Sequence, residues 1–274
     1  LEFRRVLFRS GRTALRSYLQ SKGYTDAVLQ RAGLVVQRDD GGVVDRFRNR
    51  LMIPICRETG SVIAFGGRAV DPDQQPKYLN SPETPIFTKG NLLFNLDRAR
   101  TGVGEGHPFV LVEGQLDALR CWQVGLKTAI APQGTSITEP QLQLIRRYHT
   151  QVECFLDSDA AGQKASLRFL PMALKAGLEV RFLTLAGAAK LDPDLLFQEK
   201  GLPAYEDLRR SSLSAVQYAA AAFLPNPRGA TAEQQSRAAQ GIVELIAAST
   251  RSLPASTKLL MFETDDICRS SLPF

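Results

Sequence analysis

Phe109-Val110-Leu111-Val112-Glu113-Gly114 and, further along, Val152-Glu153-Cys154-Phe155-Leu156-Asp157-Ser158-Asp159 decide the fold. Each is a short, mainly apolar run that ends on acidic residues. Thr128-Ala129-Ile130-Ala131 lies between them and Val180-Arg181-Phe182-Leu183 follows, so four such runs are spaced along the middle of the chain. Runs of this kind suit strands buried on both faces. The segments between them, Leu116 to Val124, Glu139 to Tyr148 and Ala160 to Ala176, carry apolar residues at helical spacing. Strand and helix in alternation predict parallel βαβ units with right-handed crossovers, whose ligands bind at the C-terminal ends of the strands.

Acids occupy those ends. Glu113 follows the first run directly, with Asp117 four residues on. Asp157 and Asp159 close the third, and Asp192-Pro193-Asp194 opens the stretch after the fourth. Each group has a plainer reading. Asp157-Ser158-Asp159 and Asp192 could cap helices, and Glu113-Gly114 could be a turn. Caps do not require three acidic groups at the ends of three strands of one sheet, however. Carboxylates gathered on one edge repel unless cations neutralise them, and hard divalent ions such as Mg²⁺ or Mn²⁺ prefer such oxygens.

Outward from this centre the chain is ordinary in bulk. Its 274 residues are 44% hydrophobic, enough for one large domain or two modest ones. No apolar run approaches the roughly 18–20 residues of a bilayer crossing, which argues against a membrane role. Cys56, Cys121, Cys154 and Cys268 are scattered without a C-x-x-C pair. That pattern argues against a disulfide framework or zinc site and for reduced thiols in the cytoplasm. Leu1-Glu2-Phe3-Arg4-Arg5-Val6-Leu7-Phe8-Arg9-Ser10 resembles the translation of a short-read sequencing adapter and is set aside as an artefact. Ser270-Ser271-Leu272-Pro273-Phe274 does not read as a natural end.

Charge is uneven. Residues 11–100 hold 14 Lys/Arg against 9 Asp/Glu, whereas residues 101–274 hold 17 against 18. A basic front suits a polyanion, and a near-neutral rear suits metal ions. The front starts with two helices, Thr13 to Lys22 and Thr25 to Ala32, before a Gly/Pro-rich, strand-like stretch. The rear, from 203 onward, is Ala-rich and helical, broken by Pro225, Pro227 and Pro254. The expected architecture is α/β, α+β over the whole chain. It comprises a mixed basic subdomain at 11–107, a parallel-sheet domain with helices on both faces at 108–200, and a truncated helical subdomain at 201–274. Trp122 and Phe169 are expected in the core, and His107 and His149 on the surface.

These residues bear a resemblance. Val112-Glu113-Gly114-x-x-Asp117, Phe155-Leu156-Asp157-Ser158-Asp159-x-x-Gly162 and Lys190-Leu191-Asp192-Pro193-Asp194 resemble the TOPRIM signature of primases, topoisomerases and some nucleases. In the front half, Arg46-Phe47-Arg48-Asn49-Arg50-Leu51-Met52-Ile53-Pro54-Ile55, Ala64-Phe65-Gly66-Gly67-Arg68, Lys77-Tyr78-Leu79-Asn80-Ser81-Pro82-Glu83-Thr84 and Phe87-Thr88-Lys89-Gly90 resemble the catalytic core of bacterial DnaG-type primases. The blocks occur in family order over roughly residues 12–200. Two positions depart from the family pattern: Gln115-Leu116 stands in place of the usual Tyr-Met, and Ser158 in place of Gly. Neither removes a carboxylate.

The resemblance implies that Glu113, Asp157 and Asp159 hold catalytic Mg²⁺ or Mn²⁺, with Asp117, Asp192 and Asp194 completing the acidic surface. It implies that Arg46, Arg48, Arg50, Arg68, Lys77, Tyr78, Asn80 and Lys89 bind template and nucleotide. No zinc is expected in this fragment. The implied function is template-directed synthesis of short RNA primers from ribonucleoside triphosphates on single-stranded DNA in the bacterial replisome. The replicative helicase would be met through a C-terminal domain missing here. Glu113 could be a metal ligand or a general base. Gly66-Gly67-Arg68 could let backbone approach a phosphate or could form a tight hairpin turn. The competing readings are another TOPRIM enzyme such as a nuclease, and a non-catalytic single-strand-binding module. A type I topoisomerase would need a nucleophilic Tyr on a large further domain.

Overall fold

The computed structural model of the chain describes residues 11–104, 106–134, 136–156, 160–184 and 193–249. They fall into two compact units that divide between Lys89 and Gly90.

The first unit opens with helices α1 (Ala14–Ser21) and α2 (Asp26–Arg31), followed by the hairpin β1 (Val35–Gln37) and β2 (Val43–Asp45). Its main sheet is antiparallel, in the order β3 (Arg50–Cys56), β4 (Val62–Ala69), β5 (Tyr78–Asn80). Leu15, Leu19, Leu29 and Val35 form a small core on which Met52 and Phe65 pack. Asp45 fixes the start of α1. Its buried carboxylate accepts from the backbone N–H of Leu15 at 2.7 Å and of Arg16 at 2.9 Å, satisfying donors that the helix cannot.

Of the two readings of Gly66-Gly67-Arg68, the tight hairpin turn is not what the chain forms. These residues lie inside β4, and the β3–β4 turn is made downstream of Arg57, where Gly60 takes φ +86°. Gly67 is needed for packing. A Cβ there would come within 3.0 Å of Arg50 Cδ and of Phe47 Cδ1.

The second unit holds β6 (Leu93–Phe94), α3 (Leu96–Ala99), β7 (Phe109–Val112), α4 (Gln115–Gln123), β8 (Ala129–Pro132), α5 (Glu139–Tyr148), β9 (Gln151–Phe155), α6 (Ala160–Lys175) and β10 (Glu179–Phe182). It continues through α7 (Pro193–Lys200), α8 (Leu202–Arg210), β11 (Leu213–Ser214), α9 (Ala215–Phe223) and α10 (Ala232–Ser249). The sheet order is β11-β10-β9-β7-β8-β6. The four inner strands are parallel, and the two short edge strands run antiparallel to them.

Helices cover both faces. Phe109, Leu111, Ile130, Val152, Cys154, Val180 and Phe182 share one side with Leu142, Leu170 and Ala219 of α5, α6 and α9 in a single core cluster. The alternate residues face the other way, where Phe155 meets Phe197 of α7 edge to face at 5.6 Å. Full burial of each such Phe, Leu or Ile is worth about 1.5–3 kcal/mol. Burial also silences the thiols: Cys121 is pushed up to about 12, and Cys154 well above its usual value, by desolvation of the thiolate.

Trp122 departs from its expected place in the core. It is half-buried at the end of α4, with Arg98 5.7 Å and Lys127 4.2 Å from its ring centroid. Lys127 also donates to the Trp122 carbonyl at 2.9 Å, so the cation both caps the helix and covers the ring. Phe169 is core, 4% exposed.

Candidate metal and nucleic-acid site

Parallel register determines what meets at the carboxyl edge of the sheet. Val112 at the end of β7 is level with Phe155 at the end of β9. The next residues, Glu113 and Leu156, therefore leave adjacent strands side by side, about 4.8 Å apart along the hydrogen-bonding direction. Glu113 is exposed there, and Asp157 follows Leu156 at once. A cavity of about 420 Å³ opens at these strand ends, with Glu113 and Arg168 as its charged lining residues and Leu156, Ile137, Phe169 and Met172 among its apolar ones. Arg168 was not among the residues singled out from sequence. Its signal was available, since Gly162, Ala165, Arg168, Phe169 and Met172 recur at the helical spacing of one face of α6.

Asp157 and Asp159 lie outside the described residues, as do Asp192 and the side chain of Asp194. Among the described residues, no three His, Cys, Asp or Glu side chains converge on a point. Glu113 is the carboxylate described at this edge, and its oxygen donors suit a hard divalent ion such as Mg²⁺ or Mn²⁺.

Asp117 sits one turn into α4, where its Oδ2 accepts from the Gly114 N–H at 3.0 Å. The carboxylate thus closes the start of the helix that follows Glu113. Gln115, at the first departure from the family pattern, donates through Nε2 to Gln133 Oε1 at 2.8 Å, tying the start of α4 to the end of β8.

The basic residues of the first unit gather on β3–β5 and the loop before them. Arg46 donates to the Asn80 carbonyl through Nε at 3.3 Å and Nη2 at 2.9 Å. Arg68 and Tyr78 are cross-strand partners, the guanidinium 5.8 Å from the ring centroid, with Lys77 Nζ 5.9 Å from the same ring. Tyr78 is 54% exposed, so an aromatic face and two cations stand together at the surface. Arg48 is half-buried, its carbonyl accepting from Gln74 at 2.9 Å.

Arg50 differs from the others. It is 2% exposed, and Nη1 donates to the carbonyls of Gly67 at 3.3 Å and Lys77 at 3.4 Å. Its charge is turned into the sheet and not outward. Lys89 lies in a 3₁₀ turn, its N–H donating to Glu83 at 3.1 Å.

One polar network was not anticipated at all. Glu153, inside a run read as apolar, is 2% exposed and accepts from Tyr205 Oη at 2.7 Å and Arg209 Nε at 2.8 Å, which fastens α8 to the sheet. Burial, and then the bond to Glu153, push the Tyr205 hydroxyl far up, so it stays a proton donor.

Comparison with known proteins now places the chain. Residues 2–100 match the DNA primase catalytic core, N-terminal domain, and residues 110–196 match the Toprim-like family. The DNA primase of Clostridium acetobutylicum is 39% identical over 205 residues, which is 74% of this chain and 33% of that protein. The chain thus spans about a third of the length of the curated relatives it matches. Among solved structures, a DnaG primase catalytic domain bound to single-stranded DNA is 33% identical, with TM-score 0.76, covering 88% of this chain and 76% of that one. The E. coli primase catalytic core is 30% identical, with TM-score 0.73, covering 92% and 89%. The fold, the acid-ended parallel sheet and these likenesses together show that the chain belongs to the family of bacterial DnaG-type DNA primase catalytic cores, with a TOPRIM domain.

Proposed function

We propose that this chain synthesises short RNA primers from ribonucleoside triphosphates on a single-stranded DNA template, as a nucleotidyltransferase of the primase type. The observation that carries the reading is the register of β7 with β9, which delivers Glu113 and the chain entering Asp157-Ser158-Asp159 to one edge of one sheet. Glu113, Asp157 and Asp159 would hold Mg²⁺ or Mn²⁺, with Asp117, Asp192 and Asp194 completing the acidic surface. Bound there, the ion supplies activation of the primer hydroxyl and neutralises the triphosphate and its leaving group.

The chain's own residues bind and orient. The exposed Lys77 and the half-buried Arg68 offer cations to template phosphates, and the exposed Tyr78 ring offers a stacking face to a base. Arg46, by bridging to the Asn80 carbonyl, keeps β5 in place under that face. Arg48 and Lys89 add positive charge for phosphate. Arg50 acts from inside, holding the Lys77 carbonyl and so the strand that presents Lys77 and Tyr78. The likeness to a DnaG catalytic domain solved with single-stranded DNA supports that template as the partner.

The test is to incubate the chain with Mg²⁺ or Mn²⁺, a single-stranded template and ribonucleoside triphosphates, and to resolve the products. Short RNA is expected. A shortened template would make the chain a nuclease, and binding without product would make it a binding module. Glu113→Ala and Asp157→Ala are each expected to abolish synthesis while template binding persists. Near-normal synthesis in either variant would remove the metal assignment.

A further inference from the structure

Where β3 begins, the main sheet of the first unit is covered on one face and open on the other. The Gly67 side meets Phe47 and Arg50, and Met52 and Phe65 pack on the small helical core. Residues 50, 52, 65 and 67 thus face that core, and their neighbours along the strands face away from it. Register sets three of those neighbours in one row: Leu51 lies opposite Arg68, which lies opposite Tyr78. Side chains directly opposite across antiparallel strands share a face, with Cβ atoms about 4.5–5.5 Å apart. Leu51 is 44% exposed, whereas Ile53 and Ile55, further along β3 on the same face, are buried. An exposed leucine alone says nothing, but its place beside a guanidinium and a ring does. Arg68 Cζ and Lys77 Nζ lie 5.8 and 5.9 Å from the Tyr78 ring centroid, so the row reads apolar, cationic, aromatic.

We propose that Leu51, Arg68 and Tyr78 form a strip across β3, β4 and β5 that takes two neighbouring nucleotides of single-stranded DNA. One base lies on Leu51, the next on Tyr78, and the phosphate between them meets Arg68. The inference deepens the primase reading above, on which it rests: that reading gives Arg68 and Tyr78 to the template, and Leu51 is the new member. Two strand spacings of about 4.8 Å separate Leu51 from Tyr78, roughly 10 Å in all. Stacked bases of a duplex rise only about 3.4 Å per nucleotide along each strand. Platforms so far apart take bases drawn out of their stack, which a single strand allows and a paired duplex does not. A leucine offers any base a dry face and no hydrogen bond that would select a sequence. Lys77, exposed beside Tyr78, adds charge for the following phosphate. Apolar and cationic groups in alternation match a chain whose bases and phosphates alternate, which favours a nucleic-acid strand over an apolar protein segment.

The experiment measures the affinity of the whole chain for an oligodeoxynucleotide and for an abasic deoxyribose-phosphate chain of the same length, at several salt concentrations. Leu51→Ser is expected to weaken oligonucleotide binding about fivefold, the low end of a base-stacking contact. The slope of log affinity against log salt should stay at the parent value, because Leu51 releases no counterion. Binding to the abasic chain should not change. Arg68→Gln, by contrast, should weaken binding to both chains and lessen the slope. Leu51→Phe, which keeps an apolar face, is expected to bind the oligonucleotide at least as tightly as the parent. An unchanged oligonucleotide affinity in Leu51→Ser overturns the inference. So does an equal loss on the abasic chain, which would come from the fold and not from a base. Should Leu51→Ser not fold, Leu51→Thr takes its place with the same expected outcomes, since a β-branched residue suits an exposed strand position. The parent reading fails separately: parent affinity in both Arg68→Gln and Tyr78→Ala removes the template surface as a whole. Losses in those two with none in Leu51→Ser remove Leu51 alone.

Discussion

Arg50 in the first unit and Glu153 in the second are each 2% exposed on a strand, yet they are neutralised in opposite ways. Arg50 is met by backbone: the carbonyls of Gly67 and Lys77 accept from it, and no side-chain anion is needed. Glu153 is met by side chains, Tyr205 and Arg209, reaching in from a covering helix. The difference follows from what each group can do. A guanidinium has five donors and is weakly hydrated, so carbonyl oxygens, each with two lone pairs, can serve it inside an antiparallel sheet. A carboxylate only accepts. In an inner parallel strand the backbone N–H groups are committed to neighbours on both sides, so donors must be imported. Glu153 therefore ties the sheet to α8, whereas Arg50 ties its own sheet together.

The comparison yields its largest test at the Glu153 pair. Arg209→Met leaves a carboxylate buried with one neutral donor, and loss of one partner from a buried pair costs about 3–5 kcal/mol. Glu153→Gln breaks the same contact from the other end. Because the Arg209 side chain is 32% exposed, it can turn to water, and the cost should be the smaller of the two. Denaturant unfolding of both variants measures this. Equal losses would mean that Arg209 is as trapped as Glu153.

The second test concerns the room that Arg50 occupies. Gly67→Ala puts a methyl group 3.0 Å from Arg50 Cδ and Phe47 Cδ1. Overpacking of this kind costs about 1–3 kcal/mol. The loss should appear in the unfolding midpoint. A neutral result would show that the guanidinium has slack, and that its carbonyl contacts are incidental.

These two buried charges also mark where sequence reading stopped. The four apolar runs ending at Val112, Ala131, Leu156 and Leu183 identify the parallel sheet, because an inner strand buried on both faces has little choice of residue. Within such a run Glu153 carries no flag: its partners lie 52 and 56 residues away on a helix whose docking only the fold specifies. Arg50 sits in an Arg-x-Arg-x-Arg pattern that reads as a polyanion contact, and alternation along a strand does not say which face is turned inward. The edge strands β6 and β11 are two residues each, too short for any periodicity. Trp122 fell at a helical core spacing, but the cations over its ring come from Arg98 and Lys127, outside that helix. Of the acidic edge, the strand ends were legible, with Glu113 at one of them; Asp117 was expected on the acidic surface, and its bond to the Gly114 N–H at the start of α4 was not foreseen, although Gly-x-x-Asp after a strand is a helix-start pattern.

The smallest effect on stability is expected at Lys77, which separates a backbone role from a side-chain role within one residue. Its carbonyl accepts from Arg50 and from the Ala69 N–H at 2.8 Å, contacts that Lys77→Ala leaves in place. Its ammonium is at the surface beside Tyr78. The variant should therefore unfold at the parent midpoint. If the ammonium meets a template phosphate, affinity for single-stranded DNA should fall. The slope of log affinity against log salt should also lessen by a little under one, about 0.7 for a single strand, because one fewer counterion is released on binding. Affinity titrations at several salt concentrations separate the two roles. A lowered midpoint with an unchanged salt slope would move Lys77 from the nucleic-acid surface to the framework, alongside Arg50. Unchanged values of both would leave Tyr78 and Arg68 to carry that surface without it.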